Sequence, residues 1–210
     1  MRVWIPDRPG ALGAVASRIG AVRGDVVGID ILERGADRAI DELTVELPDE
    51  SLVDLLVTEI KAVDGVAVED IRPARGGVRD PRLDALETVA TLVEATSGDD
   101  LLTSLAKHAV RDFGGDWAAI LADADGTLTA AEGPVPEPAW LHAFVLGSSS
   151  SEAVASGRSG PDELAWAALP AAGQHLVIGR SGRQLRSVER RQVAAVARIA
   201  DARWREIAGR

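Results

Sequence analysis

The chain has 210 residues, 46% of them apolar, a formal charge of −10 and no cysteine. The missing cysteines exclude disulfides, thiolate metal sites and thiol catalysis, and an acidic chain is poorly suited to non-specific nucleic-acid binding, because phosphates are met by Lys and Arg. No apolar run approaches the roughly 20 residues of a membrane span and no basic-then-apolar leader opens the sequence, so a cytoplasmic protein away from membranes, with two modules of about 100 residues each, is expected.

The first module starts with a short strand containing Val3 and Ile5, which runs into the turn Asp7-Arg8-Pro9-Gly10. Leu12, Val15, Ile19 and Val22 then recur at the three-and-four spacing of one helix face. A helix start presents backbone N–H groups that attract anions, and the turn residues before it are of the kind that fix a sharp entry. Asp7 is open to two readings, a helix cap or a ligand contact. Gly24 is placed to stop the helix. Val26 to Leu32 reads as a strand with Val27, Ile29 and Ile31 on one face and Gly28 and Asp30 on the other. Beyond a turn at Arg34 to Asp37, Leu43, Val45 and Leu47 alternate with Glu42, Thr44 and Glu46 in a half-buried strand. Helix-start chemistry at Pro48 to Ser51 precedes an apolar face of Leu52, Leu56, Ile60 and Val63, Gly65 ends that helix, and Val66 to Ile71 supplies a last strand. The order is β-α-β-β-α-β, a split βαβ unit with two helices on one face of a four-stranded antiparallel sheet.

That order, with Asp7-Arg8-Pro9-Gly10-Ala11-Leu12 and Gly24-Asp25-Val26-Val27-Gly28-Ile29-Asp30-Ile31, resembles the ACT domain over residues 1–74. The resemblance implies a ferredoxin-like regulatory module that pairs with a second copy and holds an amino acid at the interface. Asp7, Arg8, Gly10, Ala11 and Leu12 would form the ligand turn. Family members often carry Asn where this chain has Asp25, which would repel a carboxylate and suit an ammonium group. Val27, Gly28, Ile29 and Asp30 would belong to the dimer interface, where glycine permits close approach of another backbone.

Residues 75–81 combine prolines, glycines and charges and read as a linker. The second module, residues 82–210, opens with two helices: one has Leu83, Leu86, Ala90 and Val93 on a face, the next Leu102, Leu105, Ala109 and Phe113. Trp117 to Ala122 and Thr127 to Ala131 form a hairpin around Asp123-Ala124-Asp125-Gly126, whose spacing does not match a calcium loop. A helix over Ala139 to Gly147, mobile stretches at Ser148–Ser151 and Gly157–Gly160, strands over Leu164–Leu169 and His175–Gly179, and a helix aligned on Val193, Val196, Ala200 and Trp204 complete it. Two helices, a hairpin, and the closing Leu176-Val177-Ile178-Gly179-Arg180 strand and helix resemble the GAF family. The resemblance implies a sensory antiparallel sheet flanked by helices, shortened between Pro134 and Glu163 where the family's pocket is usually closed over. The fold class expected is therefore α+β in both modules.

Catalysis and metal binding find no foothold. There is no nucleophile elbow, no Walker lysine and no dinucleotide fingerprint, and His108, His142 and His175 are scattered without an i, i+4 pair. No cofactor is implied. Trp117, Trp140 and Trp166 could line a pocket, although aromatics in strands are usually core. Residues 180–210 carry nine basic against three acidic side chains; a basic helix packed beside acidic surroundings is the commoner outcome of such a bias. The expectation is a non-enzymatic, homodimeric regulatory protein that binds an amino acid. The alternatives are a ligand-independent dimerisation scaffold for an unidentified protein, possible through Arg180–Arg205, and the regulatory partner of an enzyme subunit.

Overall fold

The computed structural model describes residues 1–35, 37–73, 80–152 and 162–209. The chain divides into two compact units, Met1–Arg79 and Asp80–Arg210; the described residues are α+β, with two antiparallel four-stranded sheets and six α-helices among them.

In the first unit β1 (Arg2–Pro6), α1 (Ala11–Ala21), β2 (Asp25–Arg34), β3 (Arg38–Glu46), α2 (Val53–Lys61) and β4 (Ala67–Asp70) follow one another, with sheet order β2-β3-β1-β4. Asp49 caps the 3₁₀ turn that leads into α2, its Oδ1 accepting from Ser51 N–H at 2.8 Å. Val15 and Ile19 of α1 and Leu56 and Ile60 of α2 pack with Val3, Ile5 and Leu43 into one core, so both helices cover the same sheet face. Because β3 lies between β1 and β2, α1 crosses over β3 on its way from one to the other.

The sequence pattern does not carry the register of β2. The pairing shifts between Val26 and Gly28 and again between Ile31 and Glu33, each shift bending the strand locally. Val27 falls in the first shift instead of sharing a face with Ile29 and Ile31. Those two stand opposite Leu43 and Asp41, yet remain 47% and 44% exposed because β2 is a sheet edge.

Of the expected linker only Asp80 and Pro81 are described, and they begin a helix: Asp80 Oδ1 accepts from the N–H groups of Arg82 and Leu83, and Pro81 fills the first helical position. The second unit runs α3 (Pro81–Glu94), α4 (Gly98–Phe113), β5 (Trp117–Ala122), β6 (Leu128–Glu132), α5 (Pro138–Ser149), β7 (Leu164–Leu169), β8 (Gln174–Gly179) and α6 (Ser187–Ala208), with sheet order β6-β5-β8-β7. Alternation along the strands divides the core in two. Ala118, Ile120, Leu176 and Ile178 face the cluster formed with Leu105 and Ala109 of α4 and Val193 and Ala197 of α6, whereas Ala119, Leu121 and Val177 face Leu141 and Val145 of α5.

Two expectations here need correction. Leu83, Leu86, Ala90 and Val93 of α3 do not face the core; the helix turns Thr88 and Leu92 inward and leaves Leu83, Leu86 and Val93 54%, 67% and 51% exposed. The cause is polar. Buried Thr88 donates to Asp112 Oδ2 and accepts from Arg111 Nη2 at 2.8 Å, and its one hydroxyl proton being committed, His108 Nδ1, 2.8 Å away, serves as donor to it. Ser148 and Ser149, expected in a mobile stretch, form the last turn of α5, while Gly157–Gly160 lie outside the described residues.

Candidate functional site

The turn Asp7–Gly10 is built as a helix entry. Arg8 N–H bonds back to Pro6 O at 2.8 Å, and Asp7 N–H reaches Asp37 O at 3.0 Å. Gly10 is the N-cap of α1 with φ 87°, a left-handed conformation that favours glycine, and a Cβ built there would meet nothing within 4 Å. Among the described residues no side chain caps α1, Asp7 included. The first bond of the helix runs from Ala14 N–H to Gly10 O at 2.9 Å, which leaves the N–H groups of Leu12 and Gly13 pointing out of the helix end. Ala11 is buried and Leu12 packs against the core. Arg8 is exposed, its guanidinium 3.8 Å from Asp64 Oδ2.

Of the six residues expected at the ligand, five thus fall within residues 7–12 at the entry to α1 and the sixth does not. Asp25 begins β2 opposite Glu46, just after Gly24, whose surroundings are Ile19 and Leu47 at the far end of α1. An 11-residue helix is roughly 16 Å long, so one chain does not bring Asp25 to the turn.

The residue that pattern reading missed is Asp41. It stands opposite Val3 and in phase with Leu43, hence on the helix-covered face, and it is 5% exposed. Its Oδ1 is buried without a hydrogen-bond partner among the described residues. Burial pushes its pKa above the usual 3.8; Arg34 opposes that shift and the Asp7 carboxylate adds to it.

In the second unit an open cleft of about 360 Å³ lies between α5 and the sheet, with Trp117, Trp140, Leu164 and Arg180 in its lining. Trp140 is 52% exposed and stacks on Phe144. Trp166 lies apart from this cleft against the ring of His175, and its indole N–H is buried with no acceptor among the described residues. The histidines are less scattered than their spacing implies: His175 Nδ1 pairs with the Asp123 carboxylate while His142 Nε2 lies 3.1 Å from Asp123 O. Among the described residues no group of three or more His, Asp or Glu side chains could hold a metal ion, and no helix is long and apolar enough to cross a membrane.

The arginines of the C-terminal segment are largely engaged inside their own unit. Buried Arg180 pairs with Glu189 and donates to Phe113 O, Arg190 donates to Leu164 O and Leu185 O, and Arg203 donates to Ala95 O.

No protein-family model and no curated protein matches the chain. Among solved structures, the chain is similar to the chromophore-binding domain of an unusual bacteriophytochrome from R. palustris, at 11% identity and a TM-score of 0.43, over 85% of this chain and 69% of that one. It is similar to the photosensory core module of the Stigmatella aurantiaca phytochrome at 12% identity and a TM-score of 0.40, over 88% of this chain but only 44% of that one. MglB in a tetrameric arrangement matches at 15% identity and a TM-score of 0.30, over 63% of this chain and 99% of its own. At TM-scores below 0.5, none of these likenesses establishes a common fold.

Proposed function

We propose that the chain is a non-enzymatic regulatory protein that binds an amino acid at an ACT-like first unit and couples that event to a GAF-like second unit. The observation that carries this reading is the uncapped start of α1, where Gly10 holds a positive φ and the space a Cβ would enter is open. Helix N–H groups without a side-chain cap attract a carboxylate, and the strand order β2-β3-β1-β4 with two helices on one face agrees with the ACT layout. Two copies would meet along the edge strand β2, through Val27, Gly28, Ile29 and Asp30, with Ile29 and Ile31 offering exposed apolar surface.

The test is a thermal-shift screen of the full chain against the individual L-amino acids, repeated on Gly10→Val. A ligand at a hundred times its dissociation constant adds about 2.7 kcal/mol of stability. The reading expects one amino acid to raise the melting temperature of the native protein and to leave the substituted protein's lower one unmoved. Indifference of the native protein to all of them overturns it.

A second reading, a ligand-independent dimerisation scaffold, is favoured by the three exposed apolar side chains of α3, Leu83, Leu86 and Val93. It expects dimers in sedimentation whose stability no amino acid changes.

A further inference from the structure

We propose that Asp41 is the ammonium-binding residue of the first unit, forming with the first turn of α1 a two-pole cradle for a zwitterionic α-amino acid. The ligand's carboxylate sits on the N–H groups of Leu12 and Gly13 and its ammonium on the Asp41 carboxylate. The inference rests on the amino-acid reading above and adds to it the residue that reads the positive pole.

The placement follows from topology. α1 crosses over β3. Its last turn ends above the Leu47 end of that strand, where Gly24 closes on Ile19 and Leu47. Its first turn therefore lies over the opposite end, occupied on the inward face by Ala39, opposite Ile5, and Asp41, opposite Val3. Ala11 and Ala39 are both buried.

Chemically, Asp41 is a group in want of a partner. A carboxylate that is more than nine-tenths buried, with one oxygen accepting from nothing among the described residues, is costly to keep charged. The charged groups acting on it are Arg34 and Asp7, and Asp7 leads into the α1 turn itself. A ligand cation would supply the missing donor and relieve repulsion between the two carboxylates. N–H groups and carboxylate together select against either half of the zwitterion alone, since a simple carboxylic acid meets Asp41 as a repulsion and a simple amine leaves the helix end unused.

The experiment uses the full chain and isothermal titration with each L-amino acid, then with the N-acetyl derivative of any that binds, and repeats the titration on Asp41→Asn. The proposal expects N-acetylation and Asp41→Asn each to weaken binding by about tenfold or more, the cost of losing a charge-assisted hydrogen bond. It also expects the unliganded Asp41→Asn protein to melt no lower than the native one, because the substitution removes a buried unpaired charge without changing size. An N-acetyl derivative that binds as tightly as the free amino acid overturns the assignment while leaving amino-acid binding intact, and it does so on the native protein even if Asp41→Asn fails to fold. Undiminished binding to a folded Asp41→Asn overturns it equally. If no amino acid binds the native chain, the regulatory reading and the cradle fall together.

Discussion

Arg180 and Glu189 face each other through two parallel hydrogen bonds, Nη1 to Oε1 at 2.7 Å and Nη2 to Oε2 at 3.1 Å, with the arginine side chain 1% and the glutamate 8% exposed. Arg180 follows β8 and Glu189 lies in the first turn of α6, where Oε2 also accepts from Arg186 N–H at 2.8 Å. One carboxylate thereby neutralises a buried cation and caps a helix. Glu189→Ala is expected to cost about 3–5 kcal/mol in urea unfolding, the range for stranding a buried charge. Replacing Arg180 with Met in the same protein should recover part of the loss, because the stranded cation is then gone.

Gly179 and Trp117 stand on paired strands, and a Cβ at Gly179 would lie 2.1 Å from the Trp117 indole. Trp117 is 8% exposed, so a methyl group at Gly179 must displace packed atoms of the ring. Gly179→Ala should destabilise by about 1–3 kcal/mol, and in a Trp117→Val background the same change should cost clearly less. Additive costs in that double-mutant cycle would show that the two positions do not compete for the same space.

The exposed stripe of α3 separates periodicity from burial. Leu86→Gln is expected to change the unfolding free energy by no more than about 0.5 kcal/mol, as for an ordinary surface position. Leu92→Ala, further along the same helix and fully buried, should cost about 2–5 kcal/mol. Sedimentation of the Leu86→Gln protein reports separately on whether the stripe is covered by a second copy.

His108 and Asp41 impose opposite pH trends on their units. Burial, then Arg111, lowers the His108 pKa below 6.5. Above pH 6.5 it is neutral in both folded and unfolded chains. As pH falls below 6.5 the unfolded chain takes up a proton that the folded one resists, so its contribution is lost down to the folded pKa. His108→Gln should flatten stability against pH in that window. Asp41 has a folded pKa above 3.8, so its contribution is complete below 3.8 and is lost as pH rises through the folded value. The stability difference between Asp41→Asn and the native protein should accordingly grow with rising pH and vanish at the acid end.

Particular residues show how far the fold can be read from sequence. Leu102, Leu105, Ala109 and Phe113 mark the inward face of α4 correctly, because the buried side chains of that helix are all apolar and its polar network lies on another face. On α3 the spacing of Leu83, Leu86, Ala90 and Val93 states that the helix has an apolar face, but the network of Thr88, His108, Arg111 and Asp112 decides which face meets the rest of the unit. In β3 the alternation of Leu43, Val45 and Leu47, carried back one step, lands on Asp41; a reading that begins at the first apolar residue passes over it. His142 and His175 lie far apart in sequence and meet at Asp123 only because α5 folds over the face on which β8 pairs with β5, a relation that no local spacing encodes.

The order of the second sheet bears on how the chain acquires it. β5 and β8 are its middle strands and pair from Trp117↔Gly179 to Ala122↔Gln174, with β6, α5 and β7 made between them. Arg203 closes a longer circuit, holding Ala95 O at 2.8 Å from 108 positions away. Such contacts are entropically expensive to form early. During synthesis, then, α4 and α5, which cover the two faces of β5, are complete before β8 exists, and the inner backbone edge of β5 stays open to other chains until Gln174 to Gly179 have been made.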